Sequence, residues 1–213
     1  MSKLLKIDLF TDVVCPWCLV GSARLDAALA RLEATDIEVE INNHPFYLDP
    51  NVPPEGVDVG EMLRQKYGRD PKEMWERVES EARKAGIELD LSQQPRMFNT
   101  AKAHTITRLS KPNGNQHELA NAIAAAYFLE HRQINDDNVL ADIAVEYGWD
   151  RGDALDAMND ETELDITRQM AVGAAEQGIR GVPFFVFAEK YALSGAQPEE
   201  VFDEALRRTI AEL

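Results

Sequence analysis

Both cysteines of this chain, Cys15 and Cys18, lie in one short segment, VVCPWCLVG, at residues 13–21. The apolar run KIDLF precedes them, and apolar residues at helical spacing follow in residues 19–34. Residues 37–48 then alternate apolar and polar positions, as a strand does. The opening of the chain therefore predicts a β-α-β unit, with the cysteine pair at the turn from the first strand to the helix.

The end of the chain supplies further elements that fit the same sheet. Residues 162–178 have the pattern of a long helix that ends at a glycine. FFVF and YALS predict two short strands at residues 184–187 and 191–194, and residues 198–210 predict a last helix. Together the two ends give β-α-β and α-β-β-α. This is the element order of a thioredoxin-like α/β fold.

The middle of the chain has a different pattern. Residues 49–57, DPNVPPEGV, contain three prolines and a glycine and are typical of a boundary. Helical patterns follow at residues 71–86, 99–109, 118–131, 137–147 and 150–158. We therefore predict a thioredoxin-like domain of residues 1–48 and 163–213. An inserted, all-helical domain of residues 49–162 interrupts it, as exposed loops tolerate.

The predicted position of the cysteines gives them a chemical role. First-turn N–H groups of a helix carry partial positive charge, which favours a thiolate at Cys15. Cys18 lies one turn further along the same face, so it can resolve a mixed disulfide that Cys15 forms with a substrate. Pro16 occupies a position where a helix tolerates proline. Trp17 carries no charge, so we expect a less oxidising pair than one with histidine at that position.

Two other roles for the pair stay open but are disfavoured: half of a zinc site, or an inert structural pair. Structural zinc requires four ligands, and the sequence has no second cysteine pair. The four histidines, His44, His104, His117 and His131, show no short ligand spacing. The sequence therefore predicts redox chemistry with no metal and no cofactor.

A second candidate site feature is the segment RGVPFFVF at residues 180–187. Pro183 stands immediately before a predicted strand, where a proline removes no ladder hydrogen bond. In thioredoxin-like folds the proline at this place is cis and faces the cysteine pair. The backbone of the preceding residue, here Val182, pairs there with an extended substrate. We therefore predict a cis Val182–Pro183 bond, with a trans strand-entry proline as the alternative.

Composition argues against several function classes. The net charge of −16 lacks the basic face that nucleic-acid binding requires, and it disfavours anionic membrane surfaces. No apolar run approaches the roughly 18 residues of a membrane span. The first residues, MSKLLKIDLFTD, have the pattern of a strand and not of a secretory signal. We therefore expect a cytoplasmic protein.

The motifs DVVCPWCLVG, GVPFFVF and YALSGAQPEEVF, in this order and at this separation, resemble the DsbA-like thioredoxin-fold oxidoreductase family, specifically its FrnE-like branch. Insertion segments such as AYFLEHRQINDDNVLADIAVEYG share the family's pattern, so the resemblance covers nearly the whole chain. It implies thiol–disulfide oxidoreductase activity, with Cys15 as the nucleophile and Cys18 as the resolving thiol. It also implies that Val182–Pro183 forms the cis-proline loop.

Around the cysteine pair, the sequence departs from the patterns of related folds at several positions. It places Asn99 where the helical insertion overhangs the site, although we favour a helix N-cap for this residue. Thioredoxins keep a buried acid at the position of Leu9, as proton acceptor for the resolving thiol. Here Asp12 is the nearer acid, and proton handling stays unassigned. His104 is either a proton carrier or, as we favour, a satisfied core or surface histidine.

Three function classes compete for this architecture. Glutathione-dependent kappa-class transferases and 2-hydroxychromene-2-carboxylate isomerases usually carry serine at the first active-site position and a Ser-Asp pair after the last strands. This chain has Cys15 and Gly195–Ala196 there. A non-enzymatic interaction module is disfavoured by the intact cysteine pair. We predict an enzyme that reduces or isomerises disulfides in proteins or peptides, with glutathione as a further candidate partner. The sequence leaves monomer and homodimer open.

Overall fold

The computed structural model describes residues 3–32 and 36–213 of the chain. Its strands are β1 (Lys3–Thr11), β2 (Ile37–Pro45), β3 (Val57–Asp58), β4 (Arg96–Met97), β5 (Phe184–Phe187) and β6 (Tyr191–Ser194). Four of them form one sheet in the order β2-β1-β5-β6. β1 is parallel to β2 and antiparallel to β5, and β5 is antiparallel to β6. The expected thioredoxin-like α/β fold is confirmed.

The helices are α1 (Pro16–Ala30), α2 (Val59–Tyr67), α3 (Pro71–Lys84), α4 (Ala101–Leu109), α5 (Gln116–Phe128), α6 (Asp137–Glu146), α7 (Arg151–Asn159), α8 (Glu161–Glu176) and α9 (Glu199–Ala211). An aspartate side chain accepts a first-turn N–H at the start of α2, α3, α6, α7 and α8. Such caps satisfy donors that the helix itself leaves free. Some of the many acidic residues of this chain therefore act as helix N-caps.

One face of the main sheet packs against α1 and α9. Side chains of a strand alternate between its two faces, and Leu5, Ile7 and Leu9 of β1 all point to this one. We call this cluster the sheet core: Leu5, Ile7, Leu9, Leu25, Ala28, Phe185, Phe187, Phe202 and Leu206. α8 contributes to a smaller cluster with Phe10, which lies on β1 and points the other way. The sheet is thus covered on both faces.

A second, larger core lies in the helical part between β2 and α8, and we call it the insertion core. It contains Ile106, Leu119, Ile123, Leu140, Ala144 and Met158 together with Val13, Val14, Leu19 and Val20. The last four residues belong to the loop after β1 and to the first turns of α1. The segment that carries the cysteines is therefore packed against the insertion.

Three details differ from the sequence-based expectation. The insertion is not all helical, because β3 pairs with β4 in a small antiparallel sheet. Strands of two residues are too short to show an alternating pattern. The helix α2 is not among the predicted helical segments, and α1 begins at Pro16, one turn before the apolar pattern of residues 19–34. The expected helical pattern of α1 also extends over residues 33–35, which lie outside the described residues. No described helix is long and apolar enough to cross a membrane.

Candidate active site

Cys15 lies at the N-cap of α1, where the backbone is extended with φ −94° and ψ 111°. Its Sγ accepts the N–H of Cys18 at 3.3 Å. The turn before it is held by the N–H of Cys15, which donates to the carbonyl O of Asp12 at 3.0 Å. Pro16 takes the first helical position, where its missing N–H costs no helical hydrogen bond. A backbone dipole therefore points at the Cys15 sulfur, as the sequence predicts.

Cys18 lies in the first turn of α1, and both cysteines are free thiols in the structure. Each is 4% exposed, so burial does not distinguish them. Burial raises the pKa of the Cys18 thiol well above its ordinary value, and the neighbouring Cys15 raises it further. A backbone contact from Asp12 lowers it in part, whereas the Asp12 charge raises it. Cys18 is therefore held as a neutral thiol, which suits the resolving partner of the pair.

The predicted cis bond between Val182 and Pro183 is confirmed. The carbonyl O of Val182 lies 3.8 Å from Cys15 Sγ, so this loop meets the first cysteine directly. Gly21 makes the approach of α1 to this loop possible. A Cβ at Gly21 would lie 2.8 Å from Pro183 Cγ and 3.2 Å from Phe185 Cζ. The sequence reasoning missed Gly21, although a glycine inside a predicted helix was the available signal.

An apolar groove of about 270 Å³ opens beside the cysteine pair. Its walls include Cys15, Pro16, Trp17 and Val182 from the thioredoxin half, with Met62, Met74, Trp75 and Phe128 from the insertion. The Arg77 guanidinium lies 5.7 Å from the centre of the Trp17 ring, within the range of a cation–π contact. The structure thus brings four of the predicted site residues together on one groove, with Pro183 behind them against Gly21.

Asn99 is not among the residues that line this groove. Its Oδ1 accepts the N–H of Ala101 at 3.0 Å, and its Nδ2 lies 3.4 Å from the carbonyl O of Val52. The N-cap of α4 is Thr100, which makes no side-chain cap bond. Asn99 therefore binds the helix start from one residue earlier than we expected, and its side chain is occupied within its own loop.

Asp12 and His104 form a buried pair close to the cysteines. Asp12 is 2% exposed and His104 is 5% exposed. Asp12 Oδ1 lies 3.2 Å from His104 Nε2, and Asp12 Oδ2 accepts the N–H of Leu48 at 2.9 Å. His104 is thus a satisfied core histidine, as favoured from the sequence. Its partner was not expected, because the two residues are 92 positions apart. Leu9, at the thioredoxin acid position, is fully buried in the sheet core.

Within residues 3–32 and 36–213, no group of three or more His, Cys, Asp and Glu side chains is placed to hold a metal ion. What the site arranges is thiol chemistry: two adjacent sulfurs, one at a helix N-terminus and one buried as a neutral thiol. Exchange between a thiolate and a disulfide requires this pairing of an attacking sulfur with a resolving sulfur.

Comparison with known proteins identifies the family. The model of the DSBA-like thioredoxin domain family matches residues 6–207. The uncharacterized protein YwbO of Bacillus subtilis (strain 168) is 29% identical over 202 residues, which cover 94% of each chain. The crystal structure of a probable DsbA oxidoreductase from Streptomyces coelicolor is 32% identical, with a TM-score of 0.86 over 98% of this chain and 91% of that one.

A more distant structure, that of a 2-hydroxychromene-2-carboxylate isomerase, shares 16% identity and a TM-score of 0.74 over 97% of both chains. At this identity the similarity shows the fold alone, so an oxidoreductase and an isomerase share one architecture. The decision between them falls to the site residues. The chain belongs to the DSBA-like thioredoxin domain family and carries its CXXC pair as Cys15 and Cys18.

Proposed function

We propose that this protein reduces or isomerises disulfides in protein or peptide substrates and that it belongs to the FrnE-like branch of its family. Cys15 attacks the substrate disulfide, and Cys18 resolves the mixed disulfide that results. One observation carries this proposal: the Cys15 sulfur accepts a helix N–H and lies 3.8 Å from the Val182 carbonyl. Attack on a substrate held along Val182 requires that position.

The cis-proline loop and the groove support an extended peptide as substrate. In the part of the chain that the structure describes, the Val182 backbone makes no hydrogen bond besides the contact with Cys15. A strand-like peptide can therefore pair with it, as in other β-augmentation complexes. Beside it the apolar groove, with Trp17 on its wall, accepts a non-polar side chain next to the substrate cysteine.

The direction of the reaction follows from the expected compartment. We propose a cytoplasmic location, where the ambient potential keeps accessible dithiols reduced. The reduced pair then donates two electrons to a substrate disulfide. The uncharged Trp17 beside Cys18 is consistent with a moderately reducing couple. The measurement that decides is the midpoint potential of the Cys15–Cys18 couple against glutathione. A value well above that of the glutathione pool indicates oxidation of substrates instead.

Glutathione-dependent isomerisation is the competing function, and the site residues disfavour it. Cys15 stands where those enzymes usually have serine. The loop after β6 has Gly195–Ala196 in place of a Ser-Asp pair. Its carbonyl groups are also engaged, because Arg24 donates to Ala196 O at 2.8 Å and to Gln197 O at 3.2 Å. Under the present proposal, glutathione is a partner that forms a mixed disulfide with Cys15.

The experiment is reduction of insulin disulfides in the presence of dithiothreitol. We expect catalysis by the wild type and none by Cys15→Ser. Cys18→Ser should retain the attacking sulfur and accumulate a mixed disulfide with a substrate peptide, which mass spectrometry detects. If Cys15→Ser retained the wild-type rate, the proposal would be wrong. So would it be if the wild type showed no reductase activity but isomerised a chromene carboxylate with glutathione.

A further inference from the structure

Cys18 is a buried thiol that has to lose its proton during the reaction. This inference rests on the proposed function, in which the Cys18 sulfur attacks the mixed disulfide on Cys15. The attacking species in such an exchange is the thiolate. Because burial raises the pKa of Cys18 well above its ordinary value, this thiol ionises poorly by itself near neutral pH. The reaction therefore requires a proton acceptor next to Cys18.

We propose that the Asp12 carboxylate is this proton acceptor and that His104 positions it. Asp12 lies in the loop between β1 and α1, and its carbonyl O accepts the N–H of Cys15 at 3.0 Å. The N–H of Cys18 in turn donates to the carbonyl O of Cys15 at 2.9 Å. The acid is thus part of the same turn that presents both sulfurs.

Two fixed contacts hold the carboxylate in place. Oδ2 accepts the N–H of Leu48 at 2.9 Å, and Oδ1 lies 3.2 Å from His104 Nε2. An ionised Asp12 accepts the Nε2–H of His104 in this geometry. Because His104 belongs to α4, the insertion provides the group that orients an acid of the thioredoxin half.

Cys18 and Asp12 line the same small cavity of about 10 Å³. This is close to the volume that one water molecule needs. The other walls of the cavity include the polar residues Thr11, Ser22, Asn43 and Asn121. With these polar groups on its walls, the cavity can hold one water molecule that passes the proton from the thiol to the carboxylate.

The other titratable groups near Asp12 do not compete for this role. Burial, then the charge of Asp12, raises the pKa of Tyr47 to about 12, and the same two causes raise that of Tyr127. Both phenols therefore stay protonated. The charged groups that act on Tyr47 are Asp12 in the loop after β1, Arg108 in α4 and Arg168 in α8. The two arginines accept no proton. His104 is in direct contact with Asp12 through its Nε2.

One other pair is close enough to be the alternative acceptor. His117 Nδ1 lies 3.2 Å from Asn43 Oδ1, and Asn43 lines the cavity. His117 Nε2 lies 2.8 Å from Asp26 Oδ1, and the Asp26 side chain is 44% exposed. This pair reaches the cavity only through Asn43 and Asn121, whereas Asp12 itself lines the cavity together with Cys18. We therefore assign the acceptor role to Asp12.

The step balances without any further reagent. Asp12 takes the proton of Cys18, and the Cys18 thiolate attacks Cys15 Sγ of the mixed disulfide. The Cys15–Cys18 bond forms as the bond between Cys15 and the substrate sulfur breaks. The pair is oxidised by two electrons and the substrate disulfide is reduced by two. The released sulfur leaves as a thiolate, and the proton held by Asp12 converts it to the thiol.

The test separates the two sulfur attacks with an aromatic disulfide whose thiolate is coloured. The first equivalent of thiolate reports attack by Cys15, and the second reports resolution by Cys18. In stopped-flow measurements on the reduced wild type, we expect the second phase to depend weakly on pH near neutrality. In Asp12→Asn the second phase should slow by about a hundredfold, the lower part of the range for general acid–base catalysis. It should also rise about tenfold per pH unit, as free Cys18 thiolate does.

Two further variants keep the test decisive if Asp12→Asn does not fold. His104→Leu removes the donor to Asp12 and should slow the second phase, whereas His104→Gln retains an N–H donor and should restore it. A wild-type pH profile in Asp12→Asn, or in both His104 variants, overturns the assignment. So does a slowed second phase in His117→Gln with a normal one in Asp12→Asn. Loss of the first phase in the wild type instead contradicts the proposed function itself.

Discussion

The sheet core and the insertion core contribute differently to the active site. The sheet core joins one face of the sheet to α1 and α9 and stabilises the thioredoxin-like scaffold. The insertion core packs against the loop before Cys15 and the first turns of α1, and its helices carry His104, Trp75 and Phe128 to the site. The common scaffold therefore places the sulfurs, and the insertion sets the groove and the polar contacts around them. The two regions should respond differently to matched changes.

The largest expected effect is a loss of stability from truncating one aromatic side chain in each core. Phe187 in the sheet core is fully buried and Phe128 in the insertion core is 3% exposed. Each substitution to alanine should cost about 3–5 kcal/mol of unfolding free energy, measured by urea denaturation. Because Phe128 also lines the groove, Phe128→Ala should further slow peptide-disulfide reduction by roughly tenfold, as for an apolar contact worth 1–3 kcal/mol.

The control is the activity of the folded fraction of Phe187→Ala, which should remain near that of the wild type. The leucine variants at both positions serve where an alanine variant does not fold. If Phe187→Ala slowed reduction of a peptide as much as Phe128→Ala did, the two cores would not differ in the way described.

Gly21 lies on α1, in the thioredoxin half, and its packing against Pro183 also affects the active site. In Gly21→Ala the new Cβ would meet Pro183 Cγ at 2.8 Å, so the cis-proline loop has to shift. Overpacking of this kind costs about 1–3 kcal/mol. Misplacing Pro183 should slow attack by Cys15 at least about tenfold, read from the first coloured phase. Gly173→Ala in α8 is the matched control, since a Cβ there meets nothing within 4 Å.

Gly173→Ala should stabilise the protein by about 0.8–1 kcal/mol, the ordinary gain in helix propensity, with unchanged activity. An active Gly21→Ala with the same gain would show that the contact with Pro183 does not constrain the site. That result would mean that contacts from the insertion, and not the packing of Gly21 against Pro183, determine how fast Cys15 attacks.

Local patterns were enough to predict the scaffold from the sequence. FFVF and YALS coincide with β5 and β6, and the cysteine segment lies at the predicted strand-to-helix turn. These elements are marked by alternation, helical spacing and the proline before a strand, all of which are short-range signals. The cis Val182–Pro183 bond was predicted from the position of Pro183 before a strand, together with the cysteine pair upstream and the proline that thioredoxin-like folds have at this place.

The surroundings of the site were not predictable in the same way. The Asp12–His104 pair joins residues far apart in sequence, and neither residue is marked by its own neighbours. The pairing of β3 with β4 is too short for a pattern. The role of Gly21 depends on how closely α1 approaches Pro183. Each of these features arises from tertiary packing, which single-sequence patterns do not encode.

The pH dependence of stability reports on Cys18, which lies between the two cores. Because burial raises the folded-state pKa of Cys18, the folded protein holds this proton more tightly than the unfolded chain does. This contribution is fully present below the unfolded thiol pKa and is lost as pH rises towards the folded value. The reduced wild type should therefore lose about 1.4 kcal/mol per pH unit relative to Cys18→Ala, once pH exceeds the ordinary thiol value of 9.0.

Urea denaturation between about pH 9 and pH 10 measures the loss that is due to Cys18. Tyr47 does not contribute in this range, because its effect on stability begins only above the ordinary tyrosine pKa of about 10. Parallel stability curves for the reduced wild type and Cys18→Ala would show that Cys18 is not held as a neutral thiol. They would also remove the need for a proton acceptor.

The smallest expected effect concerns Arg77, which joins the insertion to the catalytic segment through the Trp17 ring. An exposed cation–π contact is worth about 0.5–1 kcal/mol. Arg77→Gln should therefore raise KM for a peptide disulfide roughly two- to fivefold, because Trp17 is held less firmly on the groove wall, while attack on the small aromatic disulfide stays unchanged. Arg83→Gln removes the same charge from the same helix and should leave both values as they are. If the two variants raised KM equally, and added salt abolished both effects, the contribution of Arg77 would be long-range charge. In that case the contact with Trp17 would play no part in holding the groove.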